Sequence, residues 1–147
     1  MLTVRSILKM KGDEVWTVSP DATVLEALHI LADKDIGAIL VTDKGRVVGI
    51  LSERDIVRKT AAVNNCRLDE PVRNLMSTHV LYVGLDNTIE DCMALMTEKR
   101  IRHLPVIENG KLVGIVSNRD VVSAMIMDRD LTIDNLEKYI TGGGYSR

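Results

Sequence analysis

Two short motifs in this chain hold a carboxylate at a fixed distance from a hydroxyl: Ser52-Glu53-Arg54-Asp55 and Ser117-Asn118-Arg119-Asp120. They sit in the stretches GILSERDIV and GIVSNRDVV, which begin at Gly49 and Gly114. Serine followed three residues later by an acid can cap a helix. The hydroxyl takes an exposed amide, and the carboxylate complements the helix dipole. The same carboxylate presents two acceptor oxygens at about the spacing of two vicinal hydroxyls. Both chemistries fit the motif, and spacing alone does not choose between them. Arg54 and Arg119 stand just before the acids, within reach of either an anionic ligand or neighbouring surface acids.

The motif recurs because the chain recurs. Displaced by 65 positions, residues 18–57 align with 83–122 without a gap, and 14 of the 40 positions are identical. Many others are close exchanges, such as Val24 with Ile89 and Leu28 with Met93. A shorter echo, VRSIL at 4–8 and VRNLM at 72–76, is displaced by 68. The first copy therefore carries three extra residues around Met10 to Glu14. Such internal repetition sets the architecture before any local feature does.

Each copy has the same layout. Residues 15–18 and 80–83 are short apolar segments that read as small strands. Thr23 with Glu26, and Thr88 with Asp91, are capping boxes that open a helix. Strands are expected at 37–41 and 103–107, then turns at DKGR and ENGK, then strands at 47–51 and 112–116. The Asn-Gly pair is a strong hairpin marker. A second helix starts at Ser52 or Ser117. The order is β-α-β-β-α, twice, an α/β (α+β) fold. The nearly all-apolar strands imply sheets covered on both faces. Residues 1–65 form the first repeat with its N-terminal segment, 66–128 the second, and 129–147 a helical tail. In the tail, Thr132 is expected to cap a short helix carrying Ile133, Leu136 and Ile140, with Gly142–Gly144 stopping it. About 60 residues bury little surface, so the halves are expected to pack together around a pseudo-twofold axis. A cleft at their junction then exists in two quasi-equivalent copies.

Composition excludes several function classes. The net charge is −2, with no Phe, one Trp and three Tyr. A nucleic-acid surface needs a basic surplus and, for single strands, stacking aromatics. No run approaches the ~20 apolar residues of a membrane span. The N-terminal residues lack the pattern of a signal peptide. Cys66 and Cys92 make no disulfide framework. Cytoplasmic localisation is the expectation, with Cys92 in the core and Cys66 in an exposed linker. The three histidines lack metal-ligand spacing, and no P-loop or nucleophile elbow occurs. Catalysis and metal binding are not expected.

The repeated Gly-apolar-apolar-Ser-x-x-Asp, preceded in the second copy by IRHLPV at 101–106, resembles the CBS domain, named for cystathionine beta-synthase. Two in tandem resemble a CBS pair, or Bateman module, of the stand-alone type. The resemblance implies a regulatory module that binds an adenosine compound. AMP is the first expectation, and ADP, ATP, NAD(H) and S-adenosylmethionine are alternatives. A homodimeric interaction scaffold with unused pockets is the rival reading. By the same resemblance the aspartate holds the ribose diol, and each pocket is shared by both repeats. One pocket would use Ile50, Ser52, Arg54 and Asp55 with Val80, Leu81, Ile101, Arg102 and His103. The other would use Ile115, Ser117, Arg119 and Asp120 with Val15, Trp16, Ile36, Gly37 and Ala38. Arg102 and His103, partly charged near neutral pH, would favour a phosphate in the first. A homodimer is expected through the helix faces bearing Leu28, Leu31, Met93 and Met96, and through those after Ser52 and Ser117. A regulated partner protein is implied but unnamed by the residues.

Overall fold

The computed structural model describes residues 2–140. Helix α1 (Val4–Lys11) is followed by β1 (Thr17–Val18), α2 (Val24–Asp33), β2 (Ala38–Asp43), β3 (Arg46–Ser52) and α3 (Glu53–Val63). A 3-10 turn (Val72–Asn74) then leads to α4 (Ile89–Lys99), β4 (His103–Glu108), β5 (Lys111–Ser117) and α5 (Asn118–Ile140). The mixed helix-and-strand class is as the repeat predicts.

The local signals act as expected. Thr23 and Thr88 cap α2 and α4, each in a reciprocal box with Glu26 or Asp91. The hairpin turns have positive φ at both central residues, Lys44 and Gly45 in one, Asn109 and Gly110 in the other. That backbone twist matches the flanking strands, and Gly takes it without a steric penalty. β1 pairs parallel with β2, which pairs antiparallel with β3. In the second copy the first strand shrinks to a single parallel bridge between Val83 and Val106, beside the β4–β5 hairpin. Residues Ala38 to Val41 of β2 are all buried, as a doubly covered strand requires.

Two cores form, one per sheet, but they exchange their N-terminal segments. Val4, Ile7 and Leu8 of α1 lie in the core of the second sheet, with Val83, Ile89, Leu104 and Val116. Val72 and Leu75 lie in the core of the first, with Val18, Val24, Ile39 and Leu51. The division along the sequence at 65/66 is thus not the division in space. Backbone bonds fasten each exchange. The Val4 amide donates to the Asn87 carbonyl, and the Val72 amide to the Ala22 carbonyl, both at 2.8 Å.

Glycine makes the exchange possible at two equivalent points. A Cβ on Gly114 of β5 would lie 2.7 and 2.9 Å from the two methyls of Leu8. A Cβ on Gly49 of β3 would overlap the Met76 thioether and come within 3.1 Å of the Ser77 carbonyl oxygen. Leu8 and Met76 occupy the same position in the VRSIL/VRNLM echo. Each fills the notch in the other repeat's sheet.

Two expectations need correction. The described part of the tail continues the helix that follows the motif: α5 runs 23 residues from Asn118 to Ile140, so Thr132 lies inside it and not at a helix start. The expected stop at Gly142–Gly144 lies outside the described residues. Leu31 and Met96 are buried in their own cores, and Leu28 and Met93 pack against them. These side chains face inward because α2 and α4 cover the sheets. Exposed apolar side chains cluster on α3, with Val57 and Val63, and on α5, with Val122, Ile126 and Met127, while α2 exposes Leu25.

Gly114→Ala is therefore expected to destabilise the fold by about 1–3 kcal/mol through overpacking, although Ala suits a strand interior better than Gly. Adding Leu8→Val should recover part of that loss in denaturant unfolding. Simple additivity of the two losses would count against the notch.

Candidate functional site

The exchange places the ends of both sheets side by side, with β3 and β5 in contact at the junction. A cavity of about 320 Å³ opens there. Ile50, Ser52, Arg54 and Asp55 form one wall, and Val80, Leu81, Ile101, Arg102 and His103 form the other. All nine residues assigned from the sequence to the first pocket thus meet around one space. Its volume is within the range of small-molecule sites.

Each wall is positioned by local structure. β3 ends at Ser52, whose hydroxyl accepts from the Asp55 amide at 3.1 Å. The Asp55 carboxylate returns the contact, its Oδ2 accepting from the Ser52 amide at 3.2 Å. This is a reciprocal capping box, so the carboxylate is held at the cavity edge by the first turn of α3. Its Oδ1 makes no hydrogen bond among the described residues. On the opposite side, the chain after Met76 is extended. Ser77 exchanges both backbone bonds with Ile50, at 3.0 and 2.9 Å. This single bridge fixes Ser77 against β3, and Val80 and Leu81 follow it into the cavity lining.

The cavity also gathers residues that the sequence reading did not assign. Arg58, His79, Arg100 and Gly37 line it. Arg58 follows Arg54 by one helical turn, and that spacing was visible in the sequence. Gly37 belongs by position to the other pocket. It turns up here because His103 packs on it, with the imidazole Nε2 3.3 Å from where a Gly37 Cβ would be.

The wall is strongly basic for a chain with net charge −2. Arg54, Arg58, Arg100 and Arg102 stand against the carboxylates of Glu53 and Asp55. None of the four arginines makes an ion pair among the described residues. Arg54 feels the crowding: repulsion from Arg58, then from Arg102, lowers its pKa.

The Asp120 end differs. Ser117 and Asp120 repeat the capping box, with bonds of 2.8 and 3.2 Å. Here Lys11 of α1 also reaches the carboxylate, Nζ to Oδ2 at 2.7 Å. Burial opposes the charged form of Asp120. The bonds from Lys11 and the Ser117 amide outweigh it and hold the carboxyl below its usual range. The three extra residues of the first copy explain the contrast. By the 68-residue echo Lys9 matches Ser77, but Lys9 is still helical, so it cannot pair with Ile115 as Ser77 pairs with Ile50. Trp16 and Ile36 pack against the first core, and the Lys34 ammonium lies 4.2 Å from the Trp16 ring centroid. Of the nine residues assigned to this second pocket, only Gly37 lines the cavity described above. Val15, Ala38, Ile115 and Arg119 do not.

His103 sits between the two ends. Burial pushes its pKa down, against attraction from Asp120 and Asp55 and with help from Lys11 and Arg102. Burial therefore works against the partly charged imidazole expected near neutral pH. Cys92 is buried, and its thiol is pushed up to about 11, so it is no nucleophile. Cys66 is exposed. Among the described residues no acidic, His or Cys cluster could hold a metal ion, and no helix is long and apolar enough to cross a membrane.

The CBS-domain family model matches residues 2–62 and 72–127. The mitochondrial CBS domain-containing protein CBSX3 of Arabidopsis thaliana is 31% identical over 150 residues, covering 96% of this chain and 73% of its own. A CBS-domain-containing protein from Agrobacterium tumefaciens has a crystal structure at 41% identity. Its TM-score is 0.80, and the match covers 84% of this chain and 98% of that one. A CBS domain protein from Pyrobaculum aerophilum, solved in complex with AMP, matches at 28% identity and a TM-score of 0.71. That match covers 81% of this chain and 89% of the other.

The depressed pKa of His103 sets a pH dependence. The unfolded chain protonates this histidine near pH 6.5, whereas the folded chain does so only at lower pH. In that window the unfolded state binds more protons, so stability falls as pH falls. Urea midpoints between pH 7.5 and 5 should show the decline, and His103→Asn should flatten it. An unchanged slope would mean that the imidazole titrates freely.

Proposed function

The chain belongs to the CBS-domain family, and from that premise we propose that it is a regulatory module whose Asp55 cavity binds an adenosine nucleotide. Proteins with CBS-domain pairs are generally regulatory and non-catalytic. The observation that carries the reading is the position of Asp55. Its Oδ2 is anchored by the Ser52 amide, and its Oδ1 is unengaged at the mouth of a cavity walled by both repeats. A ribose diol can donate to that carboxylate while Ile50, Val80, Leu81 and Ile101 enclose the base. Arg54 and Arg102 then meet the 5′-phosphate with charge-assisted bonds. AMP in the Pyrobaculum relative supports the ligand class. Helix capping and diol binding are not rivals here, because they use different oxygens of one carboxylate.

The Asp120 end is less suited to the same ligand: its Oδ1 is also unengaged among the described residues, but Lys11 on Oδ2 pairs the carboxylate's charge, and Asp120 does not line the cavity. The exposed apolar side chains of α3 and α5 are the faces we assign to a homodimer. Two free cysteines fit a reducing cytoplasmic setting.

Three measurements test this reading. A nucleotide that binds only the folded state at a hundredfold excess over Kd should stabilise it by about 2.7 kcal/mol, or roughly 5–10 °C in Tm. Asp55→Asn replaces a charged acceptor with a donor and removes a bond worth about 1.5–3 kcal/mol. Calorimetry should then show affinity lower by on the order of 10- to 100-fold, while Asp120→Asn changes it little. Unaltered affinity in Asp55→Asn would reduce the motif to a helix cap. Light scattering at tens of micromolar should give twice the 16.3 kDa chain mass; a monomer would exclude the dimer.

A further inference from the structure

The two repeats act as an internal control on the cavity's charge. Position by position, three of the four arginines around Asp55 have no basic counterpart around Asp120, where Lys11 of α1 supplies a cation instead. Arg100 matches Asp35, Arg102 matches Gly37, and Arg58 matches Ser123. Only Arg54 has a basic counterpart, Arg119. A chain that merely needed soluble surface would have no reason to place one charge reversal and two added arginines on one side of the pseudo-twofold axis.

The Arg100 position is informative for a second reason. It ends α4 in the left-handed region, at φ 55°, and Asp35 is left-handed too, at φ 52°. Gly or Asn is the easier residue there. The backbone strain is thus accepted in both copies, but the arginine is used only where the site opens into the cavity. Arg58 lies one turn beyond Arg54 on the same face of α3, and both line the cavity. Arg54 and Arg102 suffice for one phosphate. Arg58 and Arg100 are then surplus, and they have no ion-pair partner among the described residues.

We propose that Arg58 and Arg100 form a subsite for a second phosphate, so that the Asp55 cavity selects adenosine nucleotides carrying a 5′-pyrophosphate over AMP and rejects cationic adenosyl sulfonium compounds. This rests on the nucleotide reading above and adds the ligand class to it. A pyrophosphate brings charge to guanidinium groups that otherwise repel one another. A sulfonium brings more positive charge into the same space and gains nothing from them. Both a nucleoside di- or triphosphate and a dinucleotide carry the recognised group.

Calorimetry of the whole chain with AMP, ADP, ATP, NAD and S-adenosylmethionine tests the subsite. The variants are Arg58→Gln, Arg100→Gln and both together, with Arg46→Gln at the β2–β3 turn as a bulk-charge control. All these side chains are exposed, so folding should survive, and a thermal melt checks it. An exposed charge pair is worth at most about fivefold, so two pairs should favour ADP and ATP over AMP by roughly tenfold. The double variant should bring ATP to within about threefold of AMP while AMP itself shifts less than that; Arg46→Gln should change neither. The ATP affinity should also fall more steeply with salt than the AMP affinity. NAD binding like ADP would identify the bridging pyrophosphate as the recognised group, and ADP binding without NAD would identify a terminal phosphate. The subsite is overturned if the parent binds AMP as tightly as ADP and ATP. It is also overturned if the double variant loses all ligands equally, or if S-adenosylmethionine binds as well as ADP. A folded parent that binds none of the five compounds would instead remove the nucleotide reading itself.

Discussion

The structure depends on an exchange of side chains between two sheets. Leu8 sits in the notch above Gly114, and Met76 sits in the notch above Gly49. Each belongs by sequence to one repeat and by packing to the other. Apolar burial supplies the driving force, since Val4, Ile7 and Leu8, or Val72 and Leu75, leave water only in the opposite core. The glycines let the backbones approach closely enough for the insertion. Neither sheet completes its core without the segment that the other repeat's half of the chain supplies. The two walls of the cavity are held together by this exchange and by the Ser77–Ile50 backbone pair at the cavity itself.

The cavity's inequality follows from a small difference in that same exchange. In the second copy the segment after Met76 is extended, so it pairs with Ile50 and presents Val80 and Leu81 to the space beside Asp55. In the first copy three additional residues prolong α1 to Lys11. Beyond its first turn a helix cannot donate to a neighbouring strand edge, because those amides are already engaged along its own axis. Its last turn instead delivers an ammonium to Asp120. One repeat's acid faces an open cavity, and the other's is neutralised by a lysine from its own chain. His103 lies between them, packed on Gly37 and sensing both acids.

The repeated Ser-x-x-Asp motif does two things with one carboxylate. As a cap it satisfies a strand-end amide and fixes the first turn of α3 or α5. That constraint gives the carboxylate a single orientation, so its remaining oxygen is preorganised rather than free to rotate. Preorganisation reduces the ordering cost of binding. The motif's rigidity and its capacity for a diol are thus consequences of the same hydrogen bonds.

Much of the fold is legible from periodicity alone. The β-α-β-β-α order, both threonine capping boxes, the two hairpin turns and the buried Cys92 follow from local residue chemistry, which acts over a few residues and reads directly. The nine residues around Asp55 are legible as candidates from the internal repeat and the family resemblance. Three features are not. The exchange of α1 and 72–76 between cores depends on which apolar face finds which notch, a long-range choice that no local pattern encodes. The depressed pKa of His103 and the Lys11–Asp120 pair depend on burial and on groups more than ninety positions apart in the chain, His103 from Lys11 and Lys11 from Asp120. The convergence of Arg58 and Arg100 on Arg54 and Arg102 needs both repeats folded together. Local residue chemistry sets the elements and what each can carry. Which acid is left open and which cations face it is settled by the packing of the two repeats, because charge and burial act through space and not along the chain.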